Sequence, residues 1–313
     1  MKVLFHYDAG VELRSKLAQL GDNGLEVICC PEGENQPFDT HLVDSEIIWH
    51  VLQPITAEVM NRAPKLKLIQ KIGVGVNTID LDTATERGIA VCNMPGTNSQ
   101  AVAEMTLLLM LSALRKQARI DEVCRSGKWV VDGQSKESFG EICGRTVGFV
   151  GFGEIPQRLA PALKALGANV IYTATQAKDV NLPFVNIEEL LQTADIVSLH
   201  IPLSSATEKI IDAKRIASMK AGAILVNTAR GGLVDEDALY QALLNGQISA
   251  AGLDVFYDEP VSKDNPLLSL DTVSVAPHIA WLTNETFARS IDIAVQNSLA
   301  IKNGDKLLFQ VNA

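Results

Sequence analysis

The first hundred residues alternate short, almost continuously apolar runs with amphipathic stretches. Residues 3–5, 26–30, 47–52, 66–72 and 89–93 are short, rich in Val, Ile and Leu, and read as strands. Between them, stretches such as 13–20 and 81–87 carry helical spacing, the second stopped by Gly88. Strands alternating with helices imply a mostly parallel sheet covered on both faces. After the Pro95-Gly96 break, one long helix is expected over 98–119, followed by a polar loop around 132–138. A second series then begins, with strands expected at 146–150, 169–172, 196–200, 223–227, 250–254 and 273–276. The tail, 284–303, reads as helix.

At 313 residues the chain exceeds what one core usually supports, so two domains are expected. Six strands with intervening helices suit a doubly wound, Rossmann-type parallel sheet that binds a dinucleotide. The reading is an α/β protein of two domains. A flavodoxin-like substrate domain spans 1–96 and is completed by the returning segment 283–313, and the Rossmann-type NAD(P) domain spans 97–282. The ligand site would lie in the cleft between them.

Charge changes the picture only by exclusion. A formal net charge of −10 argues against a broad grip on nucleic acid or an anionic membrane, so an anionic ligand must be held by a local site. The longest apolar segment, 105–114, contains Thr106 and Ser112 and is too short to span a bilayer. The opening residues form a short apolar run ended by His6 and Asp8, unlike a signal peptide. The five cysteines (29, 30, 92, 124 and 143) show no CxxC or Cys/His ligand spacing; a reducing, cytoplasmic setting and no bound metal are expected.

Residues 146–156, TVGFVGFGEIP, read as a strand, a tight turn and a helix start. Gly151 would permit the turn, Gly153 would let backbone approach a pyrophosphate, and the N–H groups of Glu154 and Ile155 would face it. Pro156 stands where a third glycine is usual, Pro161 should kink the helix, and the Glu154 carboxylate is mildly unfavourable beside phosphates. A purely structural βα turn is the plain alternative. After the next strand come Ala174, Thr175, Gln176, Ala177 and Lys178, with no acid at the tip to accept from adenosine ribose hydroxyls. Thr175 and Lys178 could instead accommodate a 2′-phosphate. The cofactor is read as NADP or NAD, leaning to NADP; Asp179 folding back to the ribose would restore NAD.

Three later segments each place a chargeable residue just beyond a strand: NTAR at 227–230, GLDVFYDEP at 252–260 and APHIAW at 276–281. With KIGVGVNTID at 71–80, AVAE at 101–104 and SLHIPL at 198–203, this ordered set resembles the D-isomer-specific 2-hydroxyacid dehydrogenase family over nearly the whole chain. That family includes phosphoglycerate dehydrogenases and glyoxylate/hydroxypyruvate reductases. Pro156 and the missing acid at Ala174 are the departures.

The resemblance implies the following roles. Arg230 would bind the substrate carboxylate and polarise the 2-oxo oxygen, because its planar fork matches carboxylate geometry. His278 would donate a proton to that oxygen as hydride reaches C2, and Glu259 would orient the imidazole and favour its protonated form. Backbone N–H groups of Val74, Gly75 and Val76 would clamp the carboxylate from the other domain. Asp254 would hold the nicotinamide carboxamide; Thr106, His200, Pro202, Thr207, Thr228, Ala229, His278 and Ala280 would line the cofactor. Trp281 reads as a core aromatic, a substrate-pocket wall or a dimer contact. The partners implied are a small 2-oxo or 2-hydroxy acid and a second copy of the chain, through the long helix and its neighbours.

Taken singly, each residue has a bland alternative: a solvated arginine, a loop-ending glutamate, a structural histidine. His6, His41 and His50 read as structural or exposed. Two other functions share the pattern. One is a dinucleotide-sensing corepressor that keeps the triad but recognises a peptide. The other is a formate- or phosphite-type dehydrogenase, although formate enzymes typically pair the histidine with glutamine rather than a residue like Glu259.

Overall fold

In a computed structural model, which describes residues 1–33, 35–129, 133 and 137–312, the chain divides into two units, 1–98 with 283–313 and 99–282. Most of the polar loop expected around 132–138 lies outside the described residues. In the first unit Lys2–His6 (β1), Glu26–Cys30 (β2), Ile47–His50 (β3), Leu68–Lys71 (β4) and Ala90–Cys92 (β5) form a parallel sheet in the order β2-β1-β3-β4-β5. That is the flavodoxin-like order. Helix Val11–Ala18 (α1) lies on the crossover from β1 to β2.

One face of this sheet, carrying Leu4, Ile48, Ile69 and Val91, packs a core with Phe38, Met60 and Ala84 from helices Asn35–Leu42 (α2), Ala57–Asn61 (α3) and Leu81–Glu86 (α4). The other face receives the C-terminal helix Asn284–Asn303, which ends as the apolar pattern predicts. Two buried side-chain bonds fix its register. Trp49 Nε1 donates to Ser298 Oγ at 3.0 Å and Asn297 Nδ2 donates to Gln70 Oε1 at 2.6 Å. The chain therefore returns to the first unit because that sheet face needs a cover.

The carboxyl edge of this sheet holds an unusual row. In-register pairing sets His6 beside His50 and His50 beside Lys71, all at most 5% exposed. Both nitrogens of His6 and Nδ1 of His50 lack hydrogen-bond partners among the described residues. Burial lowers the pKa of His6, opposed by Glu32; burial, then Lys71 and His6, hold His50 well below 6.5. Both rings are thus neutral when folded and take up protons on unfolding, so stability is full above the ordinary value and declines as pH falls below 6.5. Thermal melts between about pH 7.5 and about pH 5 should show this loss. His6→Phe, which keeps the stacking on Phe38 at 4.2 Å, should lessen it, leaving the part due to His50. Equal acid sensitivity in that variant would remove His6 from the account.

The second unit carries Thr146–Val150 (β6), Asn169–Thr173 (β7), Ile196–Leu199 (β8), Ala223–Asn227 (β9), Ile248–Leu253 (β10) and Val273–Val275 (β11), all parallel, in the order β11-β10-β9-β8-β6-β7. An isolated parallel bridge from Tyr172 to Phe184 adds the remnant of a further strand outside β7. With that remnant counted, the sheet has the Rossmann order, and the sense in which successive strands are added reverses between β6 and β8.

The expected 98–119 helix is two: Ser99–Arg115 (α5) and Gln117–Arg125 (α6), separated by Lys116 at φ 47. No glycine marks the break. Its partner comes from elsewhere: the Leu114 carbonyl, orphaned at the helix end, accepts from Gly140 N–H at 2.9 Å. The helix after the glycine turn, Glu154–Ala165 (α7), runs as one element through both prolines. Pro156 falls in the first turn, where its missing N–H has no intrahelical partner, and Pro161 lies on the exposed side without ending the helix.

Candidate active site

In β9, β10 and β11, Asn227 pairs with Leu253 and Leu253 with Val275, so the three carboxyl ends are level. Three segments leave the sheet side by side, on the edge where open α/β sheets bind ligands. The first is shaped by Asn227. Its buried amide accepts from Ala229 N–H at 3.0 Å and donates to the Arg230 carbonyl at 2.8 Å. Gly231 then passes so close to the next segment that a Cβ would lie 1.9 Å from the Phe256 carbonyl carbon. Glu236 tethers that next segment, accepting from Tyr257 N–H at 2.5 Å and from Asn265 Nδ2 at 3.2 Å.

Glu259 and His278 meet. One Glu259 oxygen accepts from Phe256 N–H at 3.0 Å, and the other pairs with His278 Nδ1 at 2.5 Å. Burial pushes the Glu259 carboxyl up, but the bond to His278, with that ring's charge, the Phe256 N–H and the Arg230 charge, holds it below the ordinary range. An ionised carboxylate only accepts, so Nδ1 carries a proton and Nε2 is the nitrogen available to a ligand. Arg230 donates to the Ala229 carbonyl at 2.6 Å; burial lowers its pKa and the Glu259 charge opposes that. It remains a cation.

The His278 backbone sits at φ 55, a left-handed conformation uncommon outside glycine and better tolerated by His, Asn and Asp than by other residues. Its N–H donates to the Asp254 carbonyl at 2.7 Å, and its own carbonyl accepts from Trp281 Nε1 at 3.1 Å. The Asp254 carboxylate, 1% exposed, accepts from the N–H groups of Ile279 and Ala280 at 2.9 Å each. Burial raises its pKa against the pull of those bonds. Asp254 therefore clamps residues 278–280, an arrangement that the sequence reading, which assigned it to the nicotinamide carboxamide, did not include.

The glycine turn leaves β6 at the point of reversal. Gly151 has φ 96, and a Cβ there would lie 2.4 Å from the His200 carbonyl oxygen, so only glycine fits. Gly153 caps α7, and a Cβ on it would meet nothing within 4 Å. The start of a helix thus opens on free space, which fits a pyrophosphate. The Glu154 carboxylate accepts from Ser99 Oγ at 3.0 Å, and Ile155 follows it in the first turn. His200 bonds Ser198 Oγ at 2.9 Å through Nε2 and sets its ring against Phe149; burial pulls its pKa to about 3, so it is neutral.

The remaining expected positions are distributed as follows. Thr207 Oγ1 donates to the Pro202 carbonyl at 2.7 Å and closes the loop after β8. Thr106 and Thr228 are buried with hydroxyls 2.9 Å apart. Ala174 is half-buried, while Thr175 and Lys178 are exposed in the loop after β7. Val74, Gly75 and Val76 follow β4 and belong to the first unit; the Val74 carbonyl accepts from Asn93 Nδ2 at 2.9 Å. Asn227 and Glu236, which build the loops carrying Arg230 and Glu259, were not singled out. An amide at a strand end was visible in the sequence, but its two backbone partners are defined only by the fold.

Residues 107–280 match the family model described as the NAD binding domain of D-isomer specific 2-hydroxyacid dehydrogenases. A glyoxylate reductase of Korarchaeum cryptofilum is 40% identical over 258 residues, covering 80% of this chain and 78% of that protein. A solved structure from Thermus thermophilus is 36% identical, with a TM-score of 0.91 over 99% of this chain and all of the other. The NAD-dependent formate dehydrogenase of Staphylococcus aureus, in complex with NAD, is 27% identical with a TM-score of 0.90, covering 100% and 99% of the two chains. The chain spans less than half of the D-3-phosphoglycerate dehydrogenase of Archaeoglobus fulgidus, 44% of its length. The chain belongs to the D-isomer-specific 2-hydroxyacid dehydrogenase family. Its class is that of a nicotinamide-dependent oxidoreductase acting on 2-hydroxy acids.

Proposed function

We propose that this enzyme reduces a small 2-oxo acid, of the glyoxylate or hydroxypyruvate kind, to the D-2-hydroxy acid. The observation that carries the reading is the Glu259–His278 pair, 2.5 Å apart through Nδ1, beside the Arg230 strand end. The bound nicotinamide supplies or accepts the hydride at C2. Arg230 would hold the substrate carboxylate and draw charge onto the 2-oxo oxygen. His278 Nε2 would give that oxygen its proton, while Glu259 keeps the ring oriented and the imidazolium compensated. The N–H groups of Val74, Gly75 and Val76 are assigned to the same carboxylate by family resemblance, and Trp281 to the substrate wall. The name of the glyoxylate reductase relative supports the substrate class.

NADP is the proposed cofactor, with NAD the alternative. Its support is the absence of an acid at Ala174 and the exposure of Thr175 and Lys178. A homodimer through α5 is supported by Leu108 and Leu111, 54% and 38% exposed. A cytoplasmic setting is supported by the five free cysteines. Among the described residues, no helix is long and apolar enough to cross a membrane.

The test is spectrophotometric: NADPH and NADH, each with glyoxylate, hydroxypyruvate, pyruvate, phenylpyruvate and 2-oxoisocaproate, and the reverse assay with formate and phosphite. Negligible oxidation across the acid panel, or turnover of formate or phosphite alone, would end the reading. Glu259→Gln supplies a mechanistic check. Removing the anion beside His278 disfavours the imidazolium, so the alkaline fall of the reduction rate should move to lower pH. An unmoved profile would show that Glu259 acts only as a loop anchor.

A further inference from the structure

The loop after β7, where a dinucleotide's adenosine ribose is expected, is held by one residue that the proposed chemistry does not use. Tyr172, 1% exposed, bonds the returning arm of that loop through its backbone: its N–H donates to the Pro183 carbonyl and its carbonyl accepts from Val185 N–H, each at 3.0 Å. Its hydroxyl then bonds the loop's middle, accepting from Lys178 N–H at 2.8 Å and donating to the Lys178 carbonyl at 3.4 Å. The same Lys178 carbonyl accepts from Val180 N–H at 2.9 Å. The ring leans on Phe152, the residue between Gly151 and Gly153, with centroids 4.3 Å apart, and on Phe184 at 5.5 Å. Next along the chain, the Thr173 carbonyl accepts from Gly151 N–H at 2.9 Å.

We propose that Tyr172 is the positioning residue for cofactor discrimination: its hydroxyl fixes the Lys178 backbone, and its ring ties that loop to the phosphate-facing glycine turn. The assignment rests on the dinucleotide-binding reading above. A buried phenol that both accepts from and donates to one residue's backbone leaves that backbone little rotational freedom. The exposed side chains of Thr175 and Lys178 are thereby presented from a fixed backbone rather than from a loosely held loop. A phosphate at the ribose 2′ position needs a cation held in place, whereas bare ribose hydroxyls do not. Loss of the hydroxyl should therefore act on the one feature that distinguishes the two nucleotides. Tyr172→Phe deletes one oxygen and keeps the aromatic contacts.

The experiment is calorimetric titration of the full chain with 2′,5′-ADP and with 5′-AMP, for wild type, Tyr172→Phe, Lys178→Ala and the double variant. Tyr172→Phe should weaken 2′,5′-ADP by about threefold to tenfold, the range of one hydrogen bond, while 5′-AMP changes less than about twofold. In the Lys178→Ala background, the further substitution should leave the ratio of the two affinities unchanged. A wild type that favours 5′-AMP ends the NADP reading but still decides this one, since Tyr172→Phe should then shift the ratio by a similar factor. An unchanged ratio, or an equal loss for both nucleotides with a lowered Tm, overturns the positioning role while leaving the dehydrogenase reading intact. Binding of neither nucleotide overturns both.

Discussion

Replacing His278 with alanine is expected to cut kcat for 2-oxo acid reduction by about a thousandfold, within the range of a lost general acid. The size follows from what else could supply the proton. His200 is neutral, with burial holding it at about 3 and Nε2 bonded to Ser198. Glu259 is an ionised acceptor, and Arg230 keeps its protons. Nucleotide affinity should change little, because the glycine turn and the loop after β7 are separate segments of the sheet edge. Alanine at φ 55 carries its own backbone strain, so His278→Asn is the informative companion. Asparagine tolerates the left-handed region but donates no catalytic proton. It should show the same kcat loss with a Tm nearer wild type. Near-normal turnover in either variant would sink the proton-donor assignment.

The parallel sheets were legible because their strands are buried on both faces. Such strands read as mostly apolar runs: 26–30, 146–150 and 223–227 coincide with β2, β6 and β9, and the others differ at one or both ends. β10, for instance, starts two residues earlier than expected, because Ile248 pairs with Ala223 of β9 ahead of a register irregularity between Ile248 and Ala250. The C-terminal helix was legible at both ends, with Thr283 as cap and Gly304 in the left-handed conformation. The break at Lys116 was not. Nothing local stops α5 there, and the donor that satisfies its end comes from Gly140, distant in sequence.

For the site, sequence conveyed the chargeable residues and concealed the scaffold. Arg230, Glu259 and His278 stand out because each follows a strand and belongs to a recognisable string. What brings Glu259 to His278 is a register between strands and a set of backbone partners, which no string contains. Asp254 shows the limit well. Its type and place invited a ligand role, and the two bonds its oxygens make to the N–H groups of residues 279 and 280 could not be read beside it. Tyr172 shows the converse: an aromatic at the end of an apolar run reads as core, and its hydroxyl partner six residues later belongs to a loop with no pattern.

The closest fit in the site lies at Gly231, and Gly231→Ala should be nearly as damaging as loss of a reacting group. An added Cβ would sit 1.9 Å from the Phe256 carbonyl carbon, 2.0 Å from its oxygen and 2.4 Å from Tyr257 N. All three are backbone atoms, which cannot rotate aside as a side chain can, so one of the two segments must move bodily. Movement of the first displaces Arg230. Movement of the second breaks the Phe256 N–H bond to Glu259 and with it the orientation of His278. A misplacement of about 1 Å costs on the order of a hundredfold in rate, and overpacking adds roughly 1–3 kcal/mol of lost stability. Gly232→Ala is the control, since the atoms nearest its Cβ would be those of the flexible Leu203 side chain, at 3.0 Å and beyond. It should stay within a few-fold of wild type in kcat/KM. If Gly231→Ala retained as much activity as Gly232→Ala, the two strand-end loops would not be locked together, and the alignment of Arg230 with the Glu259–His278 pair would need another cause.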